Sequence, residues 1–208
     1  MPQLSQAKTL GGIGSILMLL AFVPAVGWIL AIAGAIMVLV AIRYVSEIVG
    51  DRSIFNNMLF AIALGIVGLV VGVAVILGTV LTTFGLSTIS SWFSMGFPGY
   101  TTLPALPPGG IFGLIMGALA GLAIIWVLLL VSAILVRRSY DSMSKKLGVG
   151  MFGTTGLIYL IGAALTIIVV GVILIFVALI LNIVAFFSIP DQQLPQQMPQ
   201  QPIQPTTP

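Results

Sequence analysis

The chain has no cysteine and no histidine. That removes disulfides, thiol chemistry and the usual zinc and haem ligands, and it leaves the redox compartment unreadable. Charge is nearly as scarce: seven Lys and Arg and four Asp and Glu make up 5% of 208 residues, against about 25% in an ordinary soluble domain. Apolar residues account for 60%. No soluble core absorbs that excess, so the chain is better counted in membrane spans of about 20 apolar residues each. The net charge of +3 sits beside apolar runs, which favours anionic lipid headgroups over nucleic acid as a partner.

Five of the eleven charged residues fall in one stretch, RRSYDSMSKK from Arg137 to Lys146. A Lys, Arg or Asp at the centre of a membrane helix costs roughly 2.5–3.5 kcal/mol, so this stretch stays in water. RYVSEIVGDR, from Arg43 to Arg52, is a second connector of the same plan. The runs 9–42, 54–136 and 147–190 carry no charge.

This spacing predicts an all-α integral membrane protein with six transmembrane helices arranged as three consecutive hairpins. The spans are placed at about 9–24, 27–44, 56–84, 111–136, 150–168 and 171–189, with charged connectors at 43–55 and 137–149. The first uncharged run would be about 51 Å long as one helix, too long for a hydrocarbon core of about 30 Å. It is therefore divided at the turn Pro24-Ala25-Val26-Gly27. The last run is divided near Val169 to Gly171, because 27–41 and 171–185 overlay without a gap. The N-terminal run superficially resembles a signal-peptide core, but its continuation to Ile42 favours a retained span. The segment 85–110, with Trp92, Phe93, Phe97, Tyr100 and prolines at 98, 104, 107 and 108, is expected as an outer loop lying on the membrane. The tail 191–208 is Pro/Gln-rich and expected to be disordered. Its prolines at 199, 202, 205 and 208 would align on one edge of a polyproline II helix, which offers a docking motif for a protein partner. All seven basic residues then share one face. The positive-inside rule makes that face and both termini cytoplasmic, in a plasma membrane.

Proton relays and counter-ions need ionisable groups within the spans, and the interiors of these spans offer neutral polar groups instead, among them Ser15, Thr79, Thr82, Thr83, Ser132, Tyr159, Thr166 and Asn182. Asn182 is expected to hydrogen-bond a neighbouring helix, with a solute path as the alternative. Glu47 and Asp51 are one helical turn apart; pairing with Arg43 and Arg52 is favoured over holding a cation. There is no dinucleotide-binding glycine motif, no phosphate-binding lysine loop and no paired His on a helix, so no cofactor, metal or catalytic residue is assigned. Small residues recur every fourth position at Ala61 and Gly65, at Gly68 and Gly72, and at Gly113, Gly117 and Gly121. Such ridges let membrane helices pack closely; unwound half-helices at a binding site are the alternative. Arg137, Arg138, Lys145 and Lys146 form the patch expected to contact anionic lipid.

The N-terminal Gln6-Ala7-Lys8-Thr9-Leu10-Gly11-Gly12-Ile13-Gly14, the Ala41 to Ser46 exit with Phe55 beyond it, and the closing Ala185-Phe186-Phe187 resemble an archaeal family of multi-pass membrane proteins classed as a domain of unknown function. The resemblance covers about residues 4 to 190. It implies an archaeal plasma membrane and carries over no catalytic or binding residue.

On these grounds the expected role is structural: an accessory interaction protein of the plasma membrane, not an enzyme. A passive or facilitated pathway for a small neutral solute is the alternative. An intramembrane enzyme ranks third, because acid-base catalysis wants a titratable group at its work.

Overall fold

Apolar chain removed from water satisfies its backbone N–H and C=O groups most readily within one segment, and the elements described are all helical. The computed structural model describes residues 4–85, 108–168 and 170–190. The helices are α1 (Leu4–Leu19, continued by a 3-10 turn at Leu20–Phe22), α2 (Gly27–Val49), α3 (Arg52–Phe84), α4 (Gly110–Leu147), α5 (Gly150–Ala164, continued by a 3-10 turn at Leu165–Ile167) and α6 (Val170–Phe187). Most of the expected outer loop and the whole Pro/Gln tail lie outside the described residues.

Five helices are long and apolar enough to cross a membrane, α5 with its 3-10 turn included. The sequence predicts six. The helix not among those five, counted over the described residues, is α1, whose 16 regular helical residues precede its 3-10 turn and include Lys8. The first dividing turn falls at Pro24 to Val26, where the sequence places it, and the second just ahead of Gly171, which lies inside the helix that follows. Ala25 has a left-handed backbone, φ 71°, and α6 begins at Val170.

The charged stretches are helical over most of their length. Arg43 Nε donates to Glu47 Oε1 at 3.0 Å and Arg137 pairs with Asp141 at 3.8 Å, each one turn apart, which supports helix beyond the apolar zone. Glycines in the left-handed conformation, Gly50 (φ 71°) and Gly148 (φ 69°), end α2 and α4. Asp51 caps α3, accepting from the Ser53 N–H at 3.0 Å and hydroxyl at 2.6 Å. These bonds hold its carboxyl below the usual carboxylate range, the hydroxyl bond most of all. Asp51 therefore serves as a cap, and Glu47 pairs with Arg43.

Consecutive helices pack as the hairpins α1–α2, α3–α4 and α5–α6. Contacts of α1 with α6, α4 with α5 and α2 with α3 close the three into a ring, of which α2–α3 is the sparsest seam. The core lies toward the charged helix ends, where Ile42, Val45, Ile54, Met143, Phe152 and Phe186 are fully buried. The Phe152 ring meets Tyr140 at 5.8 Å and Phe186 at 5.1 Å, both edge-to-face. Leu119, Phe112 and Ile111 on α4 and Val70 and Leu77 on α3 are exposed, as side chains facing lipid are.

The α3–α4 seam has a simple register. Ser139 Oγ donates to the Ile54 carbonyl and Ser132 Oγ to the Ala61 carbonyl, each at 2.8 Å. Continuing along the same antiparallel register brings Gly72 to Gly121. A Cβ on either of them would stand 2.8 Å from the other's carbonyl oxygen. The seven-residue step between the serines matches the step between their acceptors, as in a left-handed pair of helices.

Candidate functional site

All six helices contribute to one chamber of about 300 Å³. Its walls come from Met18 on α1, Ala35 and Val38 on α2, and Met58, Ile62 and Gly65 on α3. Val136 and Tyr140 on α4, Thr155 and Tyr159 on α5, and Ala178 and Asn182 on α6 complete them. At about 30 Å³ per water the space equals about ten waters, the lower end of the range for small-molecule pockets.

The chamber is apolar except for a few neutral groups, and most of these are already occupied. Ser132 donates to the Ala61 carbonyl and Thr155 to the Met151 carbonyl, each at 2.8 Å. Asn182 Nδ2 donates to Ser15 Oγ at 2.9 Å, tying α6 to α1. The Ser15 hydroxyl gives its own proton to the Gly11 carbonyl at 2.7 Å. Ser15 can thus only accept from Asn182, which fixes the amide with N–H toward Ser15 and turns Oδ1 elsewhere. That Oδ1 is buried and has no hydrogen-bond partner. The N–H side of the same amide also reaches toward the Tyr140 hydroxyl.

One side of the chamber opens to the surroundings of the bundle. Ile66 and Leu69 line it and are each 58% exposed, whereas Asn182 is only 4% exposed. The opening lies on α3 next to the sparse α2–α3 seam. The other end is sealed by the core, with Tyr140 and Phe152 packed edge-to-face.

The small residues expected to pack helices have different neighbours. Gly72 and Gly121 face each other, Gly68 faces Leu128, and Gly117 faces Thr79 across the α3–α4 seam. Ala61 is fully buried and accepts from Ser132. Gly65 is different: a Cβ there would meet only Ser132 Oγ at 3.7 Å, ordinary contact, and the residue lines the chamber. Around a Cβ on Gly113 there is open space. Comparably close approaches occur at glycines to which the sequence analysis assigned no packing role. Gly14 and Gly34 oppose each other between α1 and α2, Gly162 and Gly171 between α5 and α6, and Gly11 lies under the Phe186 ring. Of the cationic patch, Arg138, Lys145 and Lys146 are exposed while Arg137 is half-buried.

Tyr140 and Ser139 were hidden from sequence reasoning because the stretch that holds them reads as water-facing. Both are buried. The available signal was the helical phase: Ser132, Ser139 and Met143 share one face with Tyr140 beside it, and the charges occupy the other.

This constellation defines an all-helical protein, suited in length and apolarity to a membrane, with a neutral chamber at its centre. The chain belongs to the family described as "Protein of unknown function (DUF996)", whose profile matches residues 30–180. It is 35% identical over 189 residues to "Uncharacterized protein MJ1644" of the archaeon Methanocaldococcus jannaschii, covering 91% of this chain and 94% of that protein. No solved structure matches the chain.

Proposed function

We propose that this protein holds a small uncharged ligand in the chamber between its helices, within the membrane, and carries out no covalent chemistry on it. The observation that carries this reading is the Asn182 Oδ1, buried and unpartnered, on the chamber wall. A buried acceptor left unpaired costs roughly 1–3 kcal/mol, which a ligand N–H or O–H recovers. The lining holds no Lys, Arg, Asp or Glu, which favours a neutral ligand. A purely structural accessory role, the reading the sequence alone favours, gives no reason for an acceptor to stay unpaired beside such a space. A passive pathway needs a route to both faces, and the packed rings of Tyr140, Phe152 and Phe186 at one end favour holding over conduction.

The test is a melting-temperature screen of the purified protein against a library of uncharged alcohols and amides. A compound at a hundred times its Kd raises stability by about 2.7 kcal/mol, or about 5–11 °C for a chain of this size. Gly65→Leu fills the chamber without a clash at its first atom; it is expected to melt like the parent and lose the shift. An undiminished shift in Gly65→Leu places the ligand elsewhere.

In the same reading the charged helix ends face the cytoplasm, because basic residues are retained on that side. Arg137, Arg138, Lys145 and Lys146 contact anionic headgroups at roughly 1 kcal/mol each, and the Pro/Gln tail is offered to a protein partner on that side. With no native cysteine to interfere, Ser144→Cys in sealed cells is expected to resist an impermeant thiol reagent and Thr101→Cys to react. Labelling of Ser144→Cys from outside reverses the orientation.

A further inference from the structure

We infer that the ligand is a neutral amphiphile, a lipid alcohol with a single hydroxyl head and an apolar tail, that reaches the chamber sideways from the bilayer between α2 and α3. This inference rests on the chamber being a binding site, and it follows from how polarity and access are divided within it. The unpartnered Asn182 Oδ1 and the Tyr140 hydroxyl sit at the sealed end, beside the Phe152 cluster. The rim at the other side is Ile66 and Leu69, apolar and largely exposed. The sparsest seam of the ring, α2–α3, adjoins that rim, with Ala35 and Val38 of α2 on the chamber wall beside it.

A water-borne solute would have to cross either the sealed core or the lipid. An amphiphile already dissolved in the bilayer has only to slide its head inward along an apolar wall. Its hydroxyl then donates to Asn182 Oδ1 and accepts from Tyr140, giving the buried oxygen its partner. A volume of about 300 Å³ takes the head and the first part of a chain. The rest of the tail extends past Ile66 and Leu69 into lipid, so tail length is weakly selected and the head strongly. A carboxylate or ammonium head is rejected, because the wall holds no opposite charge to offset its desolvation.

The experiment measures saturable binding of tritiated 1-dodecanol to the full-length protein in phosphatidylcholine nanodiscs. Unlabelled 1-dodecanol, dodecane, dodecanoate and 1-butanol serve as competitors. One saturable site is expected, displaced by 1-dodecanol and not by the other three at equal concentration. Asn182→Leu and Tyr140→Phe are each expected to bind about tenfold more weakly or worse, with melting temperatures confirming that each is folded. Tyr140→Phe keeps the ring against Phe152 and loses only the hydroxyl, so it remains informative if Asn182→Leu fails to fold. Equal displacement by dodecane, or unchanged affinity in the folded variants, overturns head recognition while leaving the chamber as a binding site. Equal displacement by 1-butanol overturns the amphiphile in favour of a small solute. If nothing saturates, and Gly65→Leu changes no ligand response in the melting screen, the chamber reading falls too.

Discussion

Gly72→Leu is expected to be the most damaging single substitution on the α3–α4 seam, lowering the melting temperature by 6 °C or more. The seam closes at this point on two backbones: a Cβ on Gly72 meets the Gly121 carbonyl oxygen at 2.8 Å and the Ile125 side chain closer still. A flexible side chain can swing aside, but a helical carbonyl moves only if the helices separate. Overpacking a core typically costs about 1–3 kcal/mol; a clash against backbone belongs at or above the top of that range. Near 3 kcal/mol, the shift is about 6–12 °C for a chain of this size. Gly113→Leu is the control, since that position on the facing helix α4 opens onto empty space, and it is expected to melt within about 2 °C of the parent. Detergent melting of the two variants decides the matter. Equal melting temperatures would show that close backbone approach contributes nothing measurable here.

Phe152→Ala is expected to cost about 3–5 kcal/mol, or roughly 6–20 °C of melting temperature, and to disturb the chamber as well as the core. Phe152 is fully buried and stands between Tyr140 on α4 and Phe186 on α6. Phe186 in turn covers Gly11 on α1. Removing one ring therefore loosens contacts of three other helices and frees Tyr140 to move away from Asn182. Phe112→Ala removes an identical side chain that is 68% exposed, and little change is expected. Parallel melts of the two alanine variants separate burial from mere hydrophobicity. A Phe152→Ala protein as stable as Phe112→Ala would mean that the aromatic cluster does not hold the bundle together.

The difference between these two phenylalanines could not be read along the chain. Both lie in apolar runs, and where every face of a helix is apolar, hydropathy loses the periodicity that marks the inner side of a soluble helix. The same loss explains the glycines. Four-residue spacing picked out Gly113 together with Gly117 and Gly121, yet the crossing of α3 and α4 brings only the latter two against a neighbour. Conversely, Gly14 and Gly34 touch although twenty positions apart, a pairing set by where two helices cross. In the charged stretch the error had the opposite sense. Five charges in ten residues announced water, and a helix there hid a second face on which Ser139, Tyr140 and Met143 are buried.

The helical, membrane-suited character of the chain, the turn at Pro24 and the lack of charge within the apolar runs are legible residue by residue. Those properties follow from local physics: the cost of charge in hydrocarbon, the need of each backbone group for a partner, and the conformations open to Pro and Gly. Which residues of those runs face one another depends instead on how the helices pack. The ring that joins α1 to α6 sets Ser15 against Asn182, 167 positions apart, and encloses Tyr140 and Tyr159 in the same chamber. Helix order around a ring and the crossing points between helices are settled by packing summed over all six. No local window of sequence contains that sum, and so the buried oxygen of Asn182 could be found only once the helices had been assembled.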